Sequence, residues 1–507
     1  MRCGRALVAL TFIALLIAPA FAQERGQERG AGRPAPAAVK TDTAKRGTGV
    51  LRLLPADSVT EHSVTAADGP LAYTATAGTL PLYDQSGEQS AAIFYTAYVV
   101  MDANPAARPL TFVFNGGPGA ASAFLHLGLA GPRIVDFGEA AAGAATPKMR
   151  DNPQTWLAFT DLVFIDPIGA GWSRPAKPDG GKAFWGVRND AQVIAKAIAL
   201  YVAKSGRTSS PKYLLGESYG GFRAAKVARA AQRDQGLIMS GIVMVSPMLE
   251  GHFQFGGKDY ALGAALTLPS LIATELERKN ADTPEAIAAG ERFALTDYLT
   301  ALAGPPLHGE AARSFYQRLA EMTGLPVDVV TRARGYVHDA YIKHRRSSDG
   351  QIVSRYDAAY SAIDPYPESA GAHGPDPGLD GFVRALGGAF VGYARDELKY
   401  ETDITYALLG QGIAGNWDWG SRRSPPSVSD DLRVLLAFDP SFRLLVIHGR
   451  SDLVTPYGVS RYVLDQLPPD VSGRAQLKLY RGGHMLYFDD RTRSEVTEGA
   501  KAFYRRT

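Results

Sequence analysis

The segment that decides the fold covers residues 212–232, with the sequence KYLLGESYGGFRAAKVARAAQ. Residues 212–215 form a short apolar run typical of a buried strand, and residues 222–232 have the apolar spacing of a helix. Between them lies Gly216-Glu217-Ser218-Tyr219-Gly220, a G-x-S-x-G pattern. After a strand and before a helix, this pattern predicts a sharp turn that exposes the serine hydroxyl. Ser218 is therefore the candidate nucleophile.

Further strand and helix patterns flank this turn. Residues 190–203 have helical spacing, and near-continuous apolar runs at residues 110–114, 162–165, 242–245 and 444–447 are typical of buried strands. Strands that alternate with helices predict an α/β fold with a mostly parallel sheet covered on both faces. Short alternating runs at residues 71–75 and 93–99 predict antiparallel strands at the leading edge of that sheet.

A long interval without strong strand signals separates residue 246 from residue 443. Within it, Thr283-Pro284-Glu285 opens a predicted helix that continues to Leu302, and residues 310–322 predict another. We predict that residues 249–430 form a mostly helical insertion, or cap, over the sheet edge where α/β proteins bind ligands. The core would then comprise residues 50–248 and 431–507. The Gly/Pro-rich residues 368–378 predict an exposed loop.

A serine nucleophile needs a base and an acid, which follow it in the order acid, then base. His484 lies in a Gly-Gly-His-Met segment directly after the strand-like residues 477–480. Asp452 follows the strand-like residues 444–447 and lies at the same predicted sheet edge. We therefore predict the triad Ser218, Asp452 and His484.

The rival histidine is His448, which ends its strand ahead of Asp452 and would reverse the expected order of acid and base. We interpret His448 as a packed, hydrogen-bonded side chain. The sequence contains no H-E-x-x-H motif, so a catalytic zinc site is not predicted.

Stabilisation of an oxyanion requires two backbone N–H groups. Tyr219, directly after the nucleophile, supplies one, and the turn Asn115-Gly116-Gly117-Pro118-Gly119 supplies the other. No Gly-Lys-Ser/Thr follows these glycines, so the turn is not interpreted as a phosphate-binding loop.

The N-terminus predicts export. Arg2 and Arg5 precede an apolar run over residues 6–18, and Ala20-Phe21-Ala22 follows as a cleavage site. This arrangement is typical of a signal peptide over residues 1–22, whose apolar run is too short to span a bilayer. The alternative is an uncleaved membrane anchor, against which the cleavage site argues. We expect a secreted or periplasmic protein.

The only cysteine, Cys3, precedes that apolar run, which argues against lipoprotein-type attachment. The mature chain would contain no cysteine, which excludes a cysteine nucleophile and a thiolate metal site. Residues 23–49, which include the tandem QERGQERG, predict a disordered leader. The formal net charge of +3 gives poor support for binding nucleic acid or an anionic membrane.

Five sequence blocks resemble the serine carboxypeptidase family of the α/β-hydrolase superfamily, in a cysteine-free, bacterial type. They occur in the family's order from about Ala91 onward: FVFNGGPGAAS at 112–122, FIDPIGAGWS at 164–173, GESYGG at 216–221, HGRSDLVTP at 448–456 and GGHM at 482–485. The resemblance implies the α/β-hydrolase fold and the same triad. It also implies that Gly117 donates the second oxyanion N–H, and that Asn115, Gly116 and Glu217 bind the free C-terminal carboxylate of a peptide. Glu217 has an alternative interpretation as a structural buried carboxyl group that braces the turn around Ser218, and the two roles do not exclude each other.

The chain departs from the family pattern at three positions. Val113 stands where well-known members have tryptophan, and Ala120 where they have cysteine. Leu129 aligns with a second glutamate, so half of the family's paired-carboxyl device is missing. The triad is unaffected by these changes, whereas the exopeptidase assignment loses support.

Together these observations predict an exported serine carboxypeptidase that acts on peptides with a free C-terminus through an acyl-enzyme on Ser218. The alternative is a serine esterase or acyltransferase on the same triad, and a second is a non-catalytic binding protein. No cofactor, metal or stable membrane anchor is predicted, and no sequence feature indicates an oligomeric state.

Export predicts a mature chain that starts at Gln23, because cleavage is expected after Ala22. Mass spectrometry of the protein from the periplasmic or secreted fraction tests this N-terminus. A purified envelope protein that still starts at Met1 would contradict the prediction.

Overall fold

The computed structural model describes residues 49–137, 147–381, 383–421 and 424–505. The predicted signal peptide, and the predicted leader apart from Gly49, lie outside the described residues. The strands are β1 (Ser58–Ala66), β2 (Gly69–Tyr83), β3 (Gln89–Val100), β4 (Leu110–Phe114), β5 (Arg133–Asp136), β6 (Lys148–Asp151), β7 (Asp161–Ile165), β8 (Arg174–Pro175), β9 (Lys212–Glu217), β10 (Gly241–Val245), β11 (Gln351–Val353), β12 (Ser361–Ile363), β13 (Arg443–Gly449) and β14 (Ala475–Tyr480).

The helices complete the described fold. They are α1 (Ala123–Leu125), α2 (Val187–Lys204), α3 (Tyr219–Gln235), α4 (Gly251–Gln254), α5 (Ala261–Arg278), α6 (Pro284–Phe293), α7 (Leu299–Ala303), α8 (Gly309–Thr323), α9 (Val327–Arg332), α10 (His338–His344), α11 (Leu386–Asp396), α12 (Ser429–Phe438), α13 (Tyr457–Asp465), α14 (Pro469–Ser472) and α15 (Asp490–Tyr504). None of the helices within the described ranges is long and apolar enough to cross a bilayer.

One sheet with the strand order β1-β2-β3-β7-β4-β9-β10-β13-β14 organises the chain, and β8 pairs with β3 beside this path. The strands β1, β2 and β3 are antiparallel, and β3 joins β7 antiparallel. From β7 to β14 every pairing is parallel. The predicted α/β fold with a mostly parallel sheet and an antiparallel leading edge is confirmed.

The core lies on both faces of the sheet, because successive side chains of a strand point to opposite faces. In β4, Phe112 and Phe114 pack in the hydrophobic cluster that contains α2, α3 and α12. Val113, between them, packs in the cluster that contains α11 and α15. Because β4 is buried on both faces, its sequence is an almost unbroken apolar run.

The parallel register brings the loops that follow the strands to one edge. Phe114 of β4 pairs with Gly216 of β9, and Glu217 pairs with Val245 of β10. Val245 in turn pairs with Ile447 of β13. The segments after these strands, which carry the predicted site residues, therefore leave the sheet at the same side.

Between β10 and β13 the chain is rich in helix but differs in detail from the sequence prediction. The helix expected to reach Leu302 is present and is helical throughout residues 284–303, but it contains a π-helical turn over Ala294–Tyr298 between α6 and α7. Its start is as expected, with the Thr283 side chain accepting a hydrogen bond from the Ala286 N–H. The interval also contains the short hairpin of β11 and β12. The domain boundaries at residues 249 and 430 stay a prediction.

A buried ion pair connects the two helices on one face of the sheet. Arg223 of α3 and Asp190 of α2 lie 2.6 Å apart, with side chains 0% and 6% exposed. Arg223 also donates to the carbonyl oxygen of Asn115, in the turn after β4. The pair therefore ties both helices to a turn that carries predicted site residues.

Removing Asp190 should destabilise the protein strongly, because it would leave the Arg223 charge buried without its partner. Breaking a buried pair in this way costs about 3–5 kcal/mol. Urea denaturation of Asp190→Ala should show a loss of unfolding free energy in this range. Arg313→Ala, which breaks the exposed ion pair with Glu310 on α8, is the control and should change stability little. An Asp190→Ala protein as stable as wild type would contradict the structural role of the pair.

Candidate active site

Ser218 lies between the end of β9 and the start of α3, with φ 60° and ψ −127°. A positive φ in a residue other than glycine costs about 1–3 kcal/mol and persists only where the surroundings impose it. Here three hydrogen bonds hold the backbone. The Ser218 N–H donates to the Val245 carbonyl at 3.0 Å, and the Ser218 carbonyl accepts from Gly221 at 2.9 Å and from Met248 at 3.1 Å. The turn thus presents a half-buried serine at the amino end of a 17-residue helix.

The turn after β4 packs against this serine turn, backbone to backbone. A Cβ atom on Gly116 would lie 2.5 Å from the Tyr219 nitrogen and 2.7 Å from the Glu217 carbonyl oxygen. A Cβ atom on Gly220 would lie 2.6 Å from the Phe114 carbonyl oxygen. Only glycine allows so close an approach, which explains these glycines in both motifs.

The close approach places two backbone donors beside the serine. Within the described part of the chain, the N–H groups of Gly117 and Tyr219 have no hydrogen-bond acceptor. Both residues line the same pocket as Ser218. Unpaired N–H groups at a helix start can stabilise negative charge that develops on a substrate oxygen.

Asp452 and His484 form a buried hydrogen-bonded pair. The His484 Nδ1 lies 2.8 Å from the Asp452 Oδ2, and the two residues are 3% and 0% exposed. With its Nδ1 proton donated to Asp452, the imidazole keeps Nε2 as an acceptor. No hydrogen bond joins Ser218 to His484 in the described ranges, although both line one pocket. In unliganded enzymes this contact is often long and tightens with substrate.

Thr455 stabilises this pair and was not among the residues singled out from the sequence. Its hydroxyl lies 2.7 Å from the Asp452 Oδ2 and 3.1 Å from the His484 Nδ1. Asp452 also accepts hydrogen bonds from the backbone N–H groups of Val454 at 2.8 Å and Thr455 at 3.0 Å. The carboxylate is thus held in place by several donors besides the imidazole.

The charge of Asp452 controls the proton affinity of His484. Burial lowers the pKa of His484, but the nearby Asp452 carboxylate, its hydrogen bond and the charge of Glu217 together raise that pKa above its usual value. The imidazole therefore takes up a proton at a higher pH than a free histidine would. A base with this shift is neutral only toward neutral and alkaline pH.

Glu217 lies buried beside the serine, between two donors. The Asn115 side-chain amide donates to Oε2, and the Tyr487 hydroxyl donates to Oε1 at 2.8 Å. Burial raises the pKa of Glu217 to about 7, although the charge of His484 and both hydrogen bonds act to lower it. Glu217 and His484 influence each other, so their protons are released as a coupled pair.

The remaining sequence-predicted residues occupy different surroundings. His448 is fully buried, pairs with the Ser460 hydroxyl at 2.7 Å, and has a pKa lowered to about 4 by burial. Leu129, at the position of the family's second glutamate, is fully buried in the hydrophobic cluster that contains α11 and α15.

A pocket of about 330 Å³ contains Asn115, Gly116, Gly117, Glu217, Ser218, Tyr219 and His484, while Asp452 lies behind His484. Most of its remaining walls are apolar or aromatic: Phe124, Met248, Phe255, Tyr356, Leu379, Leu409, Trp419, Val454 and Met485. Apart from Val454 and Met485, which lie in the blocks around Asp452 and His484, none of these wall residues had a sequence signal that separated it from ordinary core residues. The pocket can therefore hold an apolar group next to the hydroxyl of Ser218.

The chain is similar to known proteins in part of its sequence and in its fold. The model of the serine carboxypeptidase family matches residues 68–257. A serine carboxypeptidase-like protein of Arabidopsis thaliana is 33% identical over 82 residues, which is 16% of this chain and 16% of that protein. A serine carboxypeptidase of Caenorhabditis elegans is 31% identical over 123 residues, 23% of this chain and 20% of that protein. The matched stretches thus span well under two thirds of these curated relatives.

The fold comparison covers more of the chain. A prohormone-processing carboxypeptidase from Saccharomyces cerevisiae has a TM-score of 0.54 and 16% identity, over 86% of this chain and 92% of that one. At this identity the likeness concerns the fold alone. Together with the family match, it confirms the resemblance indicated by the sequence blocks. Residues 68–257 of the chain are thus similar to the serine carboxypeptidase family, and 86% of the chain shares the fold of the yeast carboxypeptidase.

Proposed function

We propose that this protein is an exported serine carboxypeptidase that releases C-terminal residues from peptides through an acyl-enzyme on Ser218. The observation that carries the proposal is the position of Glu217, a buried carboxyl group that lies next to the nucleophile and is held by Asn115 and Tyr487. Export rests on the sequence of residues 1–22.

In the proposed reaction, the Ser218 hydroxyl attacks the substrate carbonyl carbon while His484 Nε2 accepts the hydroxyl proton. Asp452 holds the imidazole in the required tautomer and stabilises its charged form. The N–H groups of Gly117 and Tyr219 donate to the oxyanion. His484 then gives its proton to the leaving amine, and water hydrolyses the ester on Ser218 by the same steps.

Recognition of the C-terminus depends on the protonation of Glu217. A protonated Glu217 can donate a hydrogen bond to the terminal carboxylate of a peptide, whereas an ionised Glu217 repels it. A pKa of about 7 keeps a large protonated fraction at weakly acidic pH. Asn115 and Gly116 line the same region and supply further polar contacts. The apolar walls favour substrates with apolar side chains near the scissile bond.

A second candidate, an esterase or acyltransferase on the same triad, is favoured by one observation. Leu129 provides an apolar group where the family pattern has a second carboxyl group, so Glu217 acts without that partner. Such an enzyme would use the same nucleophile, base and oxyanion donors, but it would not need a free carboxylate on the substrate.

Loss of any triad member should abolish most turnover while the fold survives. Ser218→Ala and His484→Ala remove the nucleophile and the base, and Asp452→Asn favours the wrong imidazole tautomer, a change that costs about ten-thousandfold in a comparable triad. Since the three act as a unit, the Ser218/His484 double variant should be barely worse than either single one. Steady-state kinetics and fluorophosphonate labelling provide the measurement.

Ser472→Ala is the matched control for this series, because Ser472 forms a local hydrogen bond with the Pro469 carbonyl at 3.1 Å on α14. It should retain wild-type turnover and labelling. If Ser218→Ala kept near-normal activity, the mechanism would have to be discarded.

The dependence of rate on pH should differ between a free-acid peptide and its C-terminal amide. Both substrates lose kcat/KM at acidic pH as His484 gains a proton. The free-acid peptide should also lose kcat/KM toward alkaline pH, because Glu217 loses the proton with which it donates to the carboxylate. The free-acid profile is therefore bell-shaped and that of the amide is not. Profiles of kcat/KM against pH for the two substrates test this.

Two variants sharpen the measurement. Glu217→Gln donates without a titratable proton, so it should remove the alkaline loss for the free-acid peptide. Tyr487→Phe removes a hydrogen bond that lowers the pKa of Glu217, so the alkaline loss should move to higher pH. Equal rates for acid and amide at every pH would reject the carboxypeptidase proposal and support the esterase.

A further inference from the structure

The loop that joins β11 to β12, residues 354–360, reaches from the interval between β10 and β13 to both loops that carry the acid and the base. We call it the hairpin loop, and we call the segments around Asp452 and His484 the acid loop and the base loop. The base loop follows β14, which is the last strand of the sheet order and has only half-buried residues. The base loop is bound from the neighbouring loops, since the His484 carbonyl accepts from the Ser246 hydroxyl at 2.8 Å and the Gly482 carbonyl accepts from the Ser451 N–H at 3.0 Å.

The hairpin loop contacts the base loop at His484 itself. The His484 N–H donates to the Tyr356 carbonyl at 2.6 Å, and the two rings meet edge to face with centroids 5.4 Å apart. A Cβ atom on Gly483 would lie 2.1 Å from that carbonyl oxygen and 2.5 Å from the Asp357 Cα. The glycine before the base thus allows a contact that no other residue would permit.

The same loop holds the acid loop on both sides of Asp452. The Leu453 N–H donates to the Arg355 carbonyl at 3.0 Å, and the Ala358 N–H donates to the Ser451 carbonyl at 2.8 Å. The Ser451 hydroxyl donates to the Asp357 carboxylate at 2.6 Å. The Leu453 side chain is buried in a hydrophobic cluster whose other buried members lie between residues 264 and 358.

The hairpin loop is held in place by hydrogen bonds to Asp376, which lies outside it, and by a bond within the loop. Asp376 accepts hydrogen bonds from the Ser354 hydroxyl and the Arg355 N–H, each at 2.7 Å. Asp357 Oδ1 also accepts from the Ala359 N–H at 3.0 Å. Because the hairpin loop is held by these bonds and contacts both the acid loop and the base loop, it can fix the position of one relative to the other.

We infer that the hairpin loop sets the position of His484 relative to Asp452 and Ser218, with Asp357 as a positioning residue that acts through Ser451. The inference rests on the triad proposed above. The mechanism requires the imidazole in a narrow range of positions, and a displacement of about 1 Å can reduce the rate about a hundredfold. Asp357 touches no reacting atom in this arrangement and acts only on the position of the base. Its removal should therefore lower kcat rather than weaken substrate binding.

The test uses Asp357→Ala, Ser451→Ala, their double variant and Asp357→Asn in the mature protein, with one ester and one peptide substrate. Fluorophosphonate titration counts the competent sites, so kcat is expressed per site. Asp357→Ala and Ser451→Ala should each lower kcat about tenfold to a hundredfold for both substrates, with KM within about twofold. Asparagine still accepts from the Ser451 hydroxyl and the Ala359 N–H, so Asp357→Asn should keep at least about a third of wild-type kcat.

Because both single variants remove the same Ser451–Asp357 hydrogen bond, the double variant should be within about twofold of the worse single one. Ser348→Ala is the matched control, since it breaks an exposed serine–aspartate contact of 3.5 Å in the same interval and should leave kcat unchanged. Unchanged kcat per site in Asp357→Ala and Ser451→Ala would overturn the inference, as would losses that multiply in the double variant. Ser451→Ala removes a single oxygen atom and keeps the test valid if Asp357→Ala fails to fold. The Ser218→Ala result tests the triad separately.

Discussion

The backbone of Ser218, held at φ 60° between a strand and a helix, is the constraint on which the rest of the site depends. That conformation survives because β10 and the segment after it hydrogen-bond to it, and because the turn after β4 packs directly against it. The same contact leaves the N–H groups of Gly117 and Tyr219 beside the hydroxyl. The strain at Ser218 is thus offset by the same packing that leaves these two N–H groups at the pocket, where we propose that they bind an oxyanion. Asp166, which accepts from the backbone and hydroxyl of Ser122 at 2.8 Å each, secures the far end of that turn.

Burial of ionisable groups next to each other sets the chemistry. Glu217, His484 and Asp452 share a region from which water is largely excluded, so each charge changes the proton affinity of its neighbours. Burial raises the pKa of the carboxyl group of Glu217, while the Asp452 carboxylate raises that of the imidazole. A neutral imidazole and a protonated Glu217 contain the same number of protons as the charged pair. In the proposed reaction, the active form is the one in which this proton is on Glu217 and not on His484.

The chain between β10 and β13 contributes to the site as well as to the pocket walls. Its residues Phe255, Tyr356, Leu379, Leu409 and Trp419 line the pocket, and its hairpin loop binds the loops that carry the acid and the base. The hydrogen bonds from the hairpin loop restrict the movement of the acid loop and the base loop at the edge of the sheet. In the proposed reaction, this arrangement would hold the imidazole ready for proton transfer before substrate arrives.

Sequence alone determined the features that depend on local patterns. Apolar runs and helical spacing predicted the parallel strands and the helices α2, α3 and α8. The spacing of apolar residues within a short segment indicates both the type of element and the face that it buries. The motif around Ser218, with Asp452 and His484 placed after strands, predicted which residues would meet, since parallel strands end at one edge.

Only the tertiary structure decided the partners of those residues. Tyr487 on Glu217, Thr455 on Asp452 and Asp357 on Ser451 are single polar contacts, two of them between residues far apart in the chain, and no periodic pattern marks them. Two local predictions were right in outline, and the fold added detail to each. The predicted long helix contains a π-helical turn, and the Gly/Pro-rich loop is mostly exposed as expected, although its Asp376 is buried. Local patterns do not reveal such details, because burial and hydrogen bonding act between segments that the sequence does not place side by side.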